Sequence, residues 1–216
     1  SFPTRRASDV VLQGSPLYIQ QSLIFPYGAG TSLFDAVYHK MGKKAFIEVF
    51  TKLPQSSAQI LHPERYFSHL KDSEPPLPHP QLTGEGNEIS SGSVGEFDHQ
   101  MLIWQASGKE AALALAPHVL GGQYRVTTAP KKNPVLIYSS QWDSTENAGK
   151  YFAVYQQLLK NKWKRCDATT RDEHLFAGSS DSGYFVTLWK GEYVTSVEGI
   201  QSLSDWQKLT QVEANE

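Results

Sequence analysis

The sequence predicts an α+β protein: an N-terminal all-helical segment, then an α+β domain with an antiparallel sheet of about four strands and packed helices. Three observations predict it. Apolar residues recur at helical spacing between residues 17 and 50. A Pro- and Gly-rich stretch interrupts the chain between residues 70 and 93. Beyond it, an alternating stretch at 124–128, an apolar run at 135–142 and the segments 184–189 and 193–197 read as strands.

The division expected is therefore 1–10 non-native or disordered, 11–69 helical, 70–93 linker, and 94–216 α+β. Residues 1–10 are polar and do not continue into the pattern that follows. The chain starts at Ser1 rather than Met, so it is expected to be a processed form or a fragment.

The first helix starts at Ser15-Pro16, with Pro in the first turn, and breaks or kinks at Pro26 and Gly28. A second starts at Thr31 as N-cap, carries Leu33, Phe34, Val37, Tyr38 and Met41 on one face, and ends at Gly42. Ala45, Phe46, Val49 and Phe50 mark a third, which Leu53-Pro54 stops. A short apolar turn at 58–61 leads into His62-Pro63-Glu64.

In the second part, Ser93 and Glu96 form a capping box for a helix that buries Phe97, Met101, Leu102 and Trp104. Ser107 caps an Ala- and Leu-rich helix that Pro117 ends or bends. Gly121-Gly122 opens a strand, where glycine permits close backbone approach. Residues 130–134 are a turn. Asp143 and Glu146 start a long helix with the inward stripe Ala148, Tyr151, Phe152, Tyr155, Leu158 and Leu159. Residues 165–183 read as polar and irregular. A hairpin turn at Lys190-Gly191 and a helix over 203–212 complete the chain.

Composition excludes several function classes. The formal net charge of −2 over 216 residues provides no field to hold nucleic acid or an anionic membrane. The basic runs Lys131-Lys132 and 160–165 read as a solvated turn and a helix end. No apolar run has the length of a membrane span, and no signal peptide is visible. The single cysteine, Cys166, forms no internal disulfide and no CxxC motif, and reads as a spectator thiol.

No catalytic residue and no cofactor-binding residue is identified in the chain. Seven histidines are scattered, and none forms the His-Glu-x-x-His pattern that sets two imidazoles one helical turn apart. His62, Glu64 and His69 are weak metal-ligand candidates; a helix start with Pro63 in the first turn explains them better. Asp98-His99 and Asp172-Glu173-His174 raise a triad, yet no nucleophile elbow accompanies them. The Gly/Ser-rich stretch 178–183 reads as a flexible loop rather than a phosphate cradle. The five tryptophans read mainly as core, with a ligand groove as the alternative.

One ordered set of motifs carries a resemblance: FPY at 25–27, QILHPERY at 59–66, VGEF at 94–97, GGQY at 121–124 and QWDS at 141–144. The order resembles the C-terminal region of a family of uncharacterised bacterial, acidobacteria-like zincin-type zinc metallopeptidases. That resemblance implies that residues 11–69 end a truncated peptidase domain and that 94–216 are an appended α+β domain. It implies a zinc helix only in the missing upstream part, an upstream peptidase domain of the same polypeptide as partner, and an extracytoplasmic location. The family's zinc ligands and general-base Glu have no counterpart here, so no catalytic residue is carried over. Two functions follow as expectations: a C-terminal metallopeptidase fragment without catalytic residues of its own, or a stand-alone α+β binding module for a peptide or small hydrophobic ligand.

Overall fold

A computed structural model describes residues 14–80, 86–128 and 133–211. The chain divides into two compact units at Lys71/Asp72. The expectations for residues 1–10, for Lys131-Lys132 and for most of the 130–134 turn lie outside the described residues.

The first unit is helical: α1 (Leu17–Met41), a 3-10 turn (Gly42–Lys44), α2 (Ala45–Thr51), α3 (Ser57–Leu61) and α4 (Pro63–Phe67). Leu33, Val37, Ala45 and Tyr66 form its core. The expected break at Pro26 does not occur; α1 runs through it for 25 residues. Proline removes one N–H, and helix on both sides carries the turn. Thr31 is therefore not a cap; its hydroxyl donates back to the Tyr27 carbonyl. Gly42, at φ 61°, ends the helix and donates its N–H to the Tyr38 carbonyl.

The second unit is built on one antiparallel sheet. Its strands are β1 (Asn87–Ser93), β2 (Val119–Thr128), β3 (Val135–Trp142), β4 (Cys166–Arg171), β5 (Leu175–Ser180), β6 (Gly183–Lys190) and β7 (Tyr193–Ile200). They lie in the order β1-β2-β3-β7-β6-β5-β4. The α+β class holds, but the sheet has seven strands where about four were expected. The three strands not anticipated are β1, β4 and β5. β1 falls within the stretch read as linker, is exposed along its whole length, and is a strand because it pairs with β2. β4 and β5 occupy what read as irregular, and β5 takes in Gly178, Ser179 and Ser180 of the presumed flexible loop. A side chain at Gly178 would collide with the Asp167 carbonyl across the β4–β5 pair, so the glycine serves strand packing.

Helices α5 (Glu96–Ser107), α6 (Lys109–Leu115) and α7 (Thr145–Lys162) cover one face of the sheet. Ile103, Tyr138, Trp142, Tyr151, Phe152, Leu159, Phe176 and Phe185 lie in that core. The opposite face packs Ile137, Ala177, Val186 and Val197 against Leu77 and helix α8 (Leu203–Gln211). Alternation along β3 sends Ile137 to one core and Tyr138 to the other. The helix caps fall one or two residues later than the sequence reading. Gly95 rather than Ser93 caps α5, donating its N–H to Asp98 Oδ2 at 2.8 Å. Gly108 rather than Ser107 precedes α6. Ser144 rather than Asp143 caps α7, accepting from the Asn147 N–H. No helix is long and apolar enough to cross a membrane among the described residues.

Candidate functional site

The candidate site is a cavity of about 540 Å³ between α5, α7 and the helix-covered face of the sheet. Its walls include Val94, Leu102, Leu136 and Leu158, and its floor carries Tyr138, Tyr155 and Glu198. Helical spacing aims Tyr151, Tyr155 and Leu159 of α7 at the sheet, and Tyr155, Leu158 and Leu159 line the cavity. Register brings Tyr138 of β3 opposite Ser196 of β7, two residues from Glu198.

Glu198 is only 3% exposed, and three donors hold its carboxylate. Tyr155 O–H donates to Oε1 at 2.7 Å, Ser196 O–H donates to the same oxygen at 3.3 Å, and Lys162 Nζ donates to Oε2 at 2.6 Å. Because Ser196 donates to Glu198, Thr187 donates to Ser196 across 3.0 Å. A buried carboxylate is stable only with such compensation. Lys162 sits in the last turn of α7 with its side chain half exposed.

A second polar chain lies beside the first. His99 is fully buried, its Nδ1 lies 2.8 Å from the Gly95 carbonyl, and its Nε2 lies 2.7 Å from Tyr138 O–H. A carbonyl only accepts, so Nδ1 carries the proton and Nε2 accepts from Tyr138. Tyr151 O–H must then donate to the Tyr138 oxygen, 2.9 Å away. Burial lowers the His99 pKa to about 4, against smaller opposing contributions from the Gly95 carbonyl and Asp98. Burial likewise raises the Tyr138, Tyr151 and Tyr155 phenols well above the usual range. At neutral pH the histidine is uncharged and the phenols keep their protons, so these groups are fixed donors and acceptors suited to binding.

Three of the sequence motifs meet at this chain. The Val94 N–H donates to the Gly122 carbonyl at 2.8 Å, and a side chain at Gly122 would press on the His99 ring. Trp142 meets that ring edge-on at 5.6 Å. At Gly121, a side chain would collide with the Ser73 carbonyl, which is the close backbone approach that the glycine pair predicts.

The residues singled out from sequence are placed as follows. His62 Nδ1 lies 3.8 Å from Glu64 Oε1 at the start of α4, with Pro63 in the first turn. His69 lines a separate small cavity beside Gln59 and Tyr66. No group of three His, Cys, Asp or Glu side chains is arranged to hold a metal among the described residues. Asp98 caps α5 rather than orienting His99, and Asp172 Oδ1 accepts from the His174 and Leu175 N–H groups in a turn, so neither Asp-His pair makes a triad. Cys166 is half-buried on β4, and burial pushes its thiol up. Trp142 and Trp163 are buried core, and Trp104, Trp189 and Trp206 are partly buried against the two cores.

Glu198 and Lys162 were not singled out from sequence, and Tyr155 and His99 were read as core stripe and triad candidate rather than as parts of this site. Their one sequence signal is the tyrosine pair on the inward stripe of α7, because a buried phenol requires a polar partner on the facing sheet. A further cavity, of about 660 Å³, lies on the other face of the sheet beneath residues 76–80 and α8. Its charged groups, Asp205 and Lys208, lie 3.8 Å apart on one helix. No family model, no curated protein and no solved structure matches this chain.

Proposed function

We propose that the sheet unit is a binding module for a small, largely apolar ligand with one polar end, received between α5 and α7. The observation that supports this reading is the cavity of about 540 Å³ with aliphatic walls that ends on one buried, hydrogen-bonded carboxylate. Small-molecule sites typically combine apolar walls with a few convergent polar groups. The test is a fluorescence titration with Nile red, an uncharged apolar probe, against the full chain and Leu158→Trp. The indole fills the cavity from α7, and the expected loss of affinity is at least about tenfold, or 1.4 kcal/mol. Equal binding by both proteins, with circular dichroism unchanged, removes the reading.

A second reading has its own support. We propose that the chain is the C-terminal region of a bacterial zinc metallopeptidase of the zincin type, with the zinc helix in the preceding part of the polypeptide. The ordered motif set supports it, together with the exposed apolar residues of the helical unit. Leu23, Tyr27, Ile47, Phe50 and Leu53 are 57–80% exposed. In this reading an upstream peptidase domain covers them. The test is the coding sequence upstream of Ser1. A His-Glu-x-x-His helix there supports the reading, and a reading frame that starts near Ser1 without one ends it.

A further inference from the structure

The cavity floor carries a buried charge, Glu198, whose ion-pair partner Lys162 is half exposed. Glu198 belongs to the sheet and is held rigidly by Tyr155 and Ser196. Its third donor, the Lys162 ammonium, comes from the cavity rim on a half-exposed side chain. Tyr138 and Tyr155 stack in parallel at 5.3 Å beside the carboxylate and line the same space. Aromatic rings around a carboxylate favour a cation over an anion or a neutral group.

We propose that the cavity selects apolar primary amines, the ligand ammonium taking the place of Lys162 Nζ on Glu198 while the alkyl chain lies between Leu102, Leu136 and Leu158. This rests on the binding reading and names its ligand class. The exchange keeps the charge of the buried site constant, because one ammonium replaces another. Lys162 is half in water already, so its release strands no buried cation. The ligand chain brings apolar surface that would otherwise remain in water. A carboxylate ligand meets the opposite situation, since it approaches a fixed buried carboxylate of like charge. An alcohol leaves the Lys162–Glu198 pair in place and gains only its chain contacts.

Isothermal titration calorimetry with n-octylamine, n-octanol and n-octanoate, below their micelle concentrations, tests this on the full chain. The expected order is amine first, by at least about tenfold over the alcohol, with the carboxylate weakest. Lys162→Ala removes the internal competitor and is expected to tighten the amine alone. Glu198→Gln is expected to bring amine and alcohol to within about threefold of each other, about 0.7 kcal/mol. Equal binding of amine and alcohol by the wild-type chain overturns the amine preference and leaves the binding reading standing. Tightest binding of octanoate overturns it too, and makes Lys162 the ligand-facing charge. Failure of all three compounds, and of Nile red, defeats the binding reading itself. The wild-type ranking decides the matter even where a variant fails to fold.

Discussion

The Tyr155 hydroxyl donates to Glu198 Oε1 at 2.7 Å, joining the middle of α7 to β7 across the floor of the cavity. Both residues are buried, at 6% and 3% exposure. Tyr155→Phe deletes the donor and leaves that oxygen to Ser196 alone. The expected cost is roughly 1–3 kcal/mol, the range for leaving a buried acceptor short of a partner. A urea midpoint equal to that of the wild type would contradict the network.

His99 sets a pH dependence. Its pKa in the folded chain is about 4, against about 6.5 for an unfolded histidine. Between these values the unfolded chain binds the proton and the folded chain does not. Stability is therefore full above pH 6.5 and is lost as pH falls toward 4, by roughly 3 kcal/mol from this group. Carboxylates contribute their own acid dependence, so the measurement is a difference. Urea unfolding of wild type and His99→Gln at steps from pH 7 to 4 should show a shallower slope in the variant.

Two helical glycines should respond in opposite directions to alanine. At Gly28 in α1, a methyl group meets nothing within 4 Å. Gly28→Ala should stabilise by about 0.5–1 kcal/mol through helix propensity alone. At Gly149 in α7, the methyl would lie 2.6 Å from the Trp189 ring. Gly149→Ala should destabilise by about 1–3 kcal/mol through overpacking, in spite of the same propensity gain. Chemical denaturation of the pair distinguishes packing from propensity, and a shift of the same sign in both would refute the close approach of Trp189.

Cys166 should behave as a sluggish thiol. Burial raises its pKa, outweighing the nearby Lys160. Its reaction with a disulfide reagent at pH 8 is expected to be several times slower than that of free glutathione. A rate above glutathione would mark an activated nucleophile and reopen the question of chemistry at β4.

The sequence made some of this legible and hid the rest for physical reasons. The stripe of α7 reads directly because Ala148, Tyr151, Phe152, Tyr155 and Leu159 recur at 3.6 spacing and are all buried. β3 and β7 read directly as well, since each carries a run of β-branched and aromatic residues, Val135 to Tyr138 and Tyr193 to Val197. β1 has no such signal: its serines and Glu88 face water, and only the ladder to β2 makes it a strand. β4 is the opposite edge and depends in the same way on β5. Glu198 was hidden because it sits among small and apolar neighbours in β7. Only the register of β7 against β3, and the packing of α7 above both, identify it as the floor of a cavity. His99 was masked by Asp98 beside it, which invites a catalytic pairing that the helix geometry turns into a cap.

The strand order has a kinetic corollary. Five of the six strand pairs join neighbours in sequence, whereas β3 meets β7 only after the chain returns across α7 and three further strands. Closing that seam requires a long loop and should come late in folding. Tyr138 stands on one side of the seam and Glu198 on the other. A partly assembled chain can hold both hairpin blocks and still lack any receptor, so recovery of ligand affinity after dilution from urea should trail recovery of secondary structure.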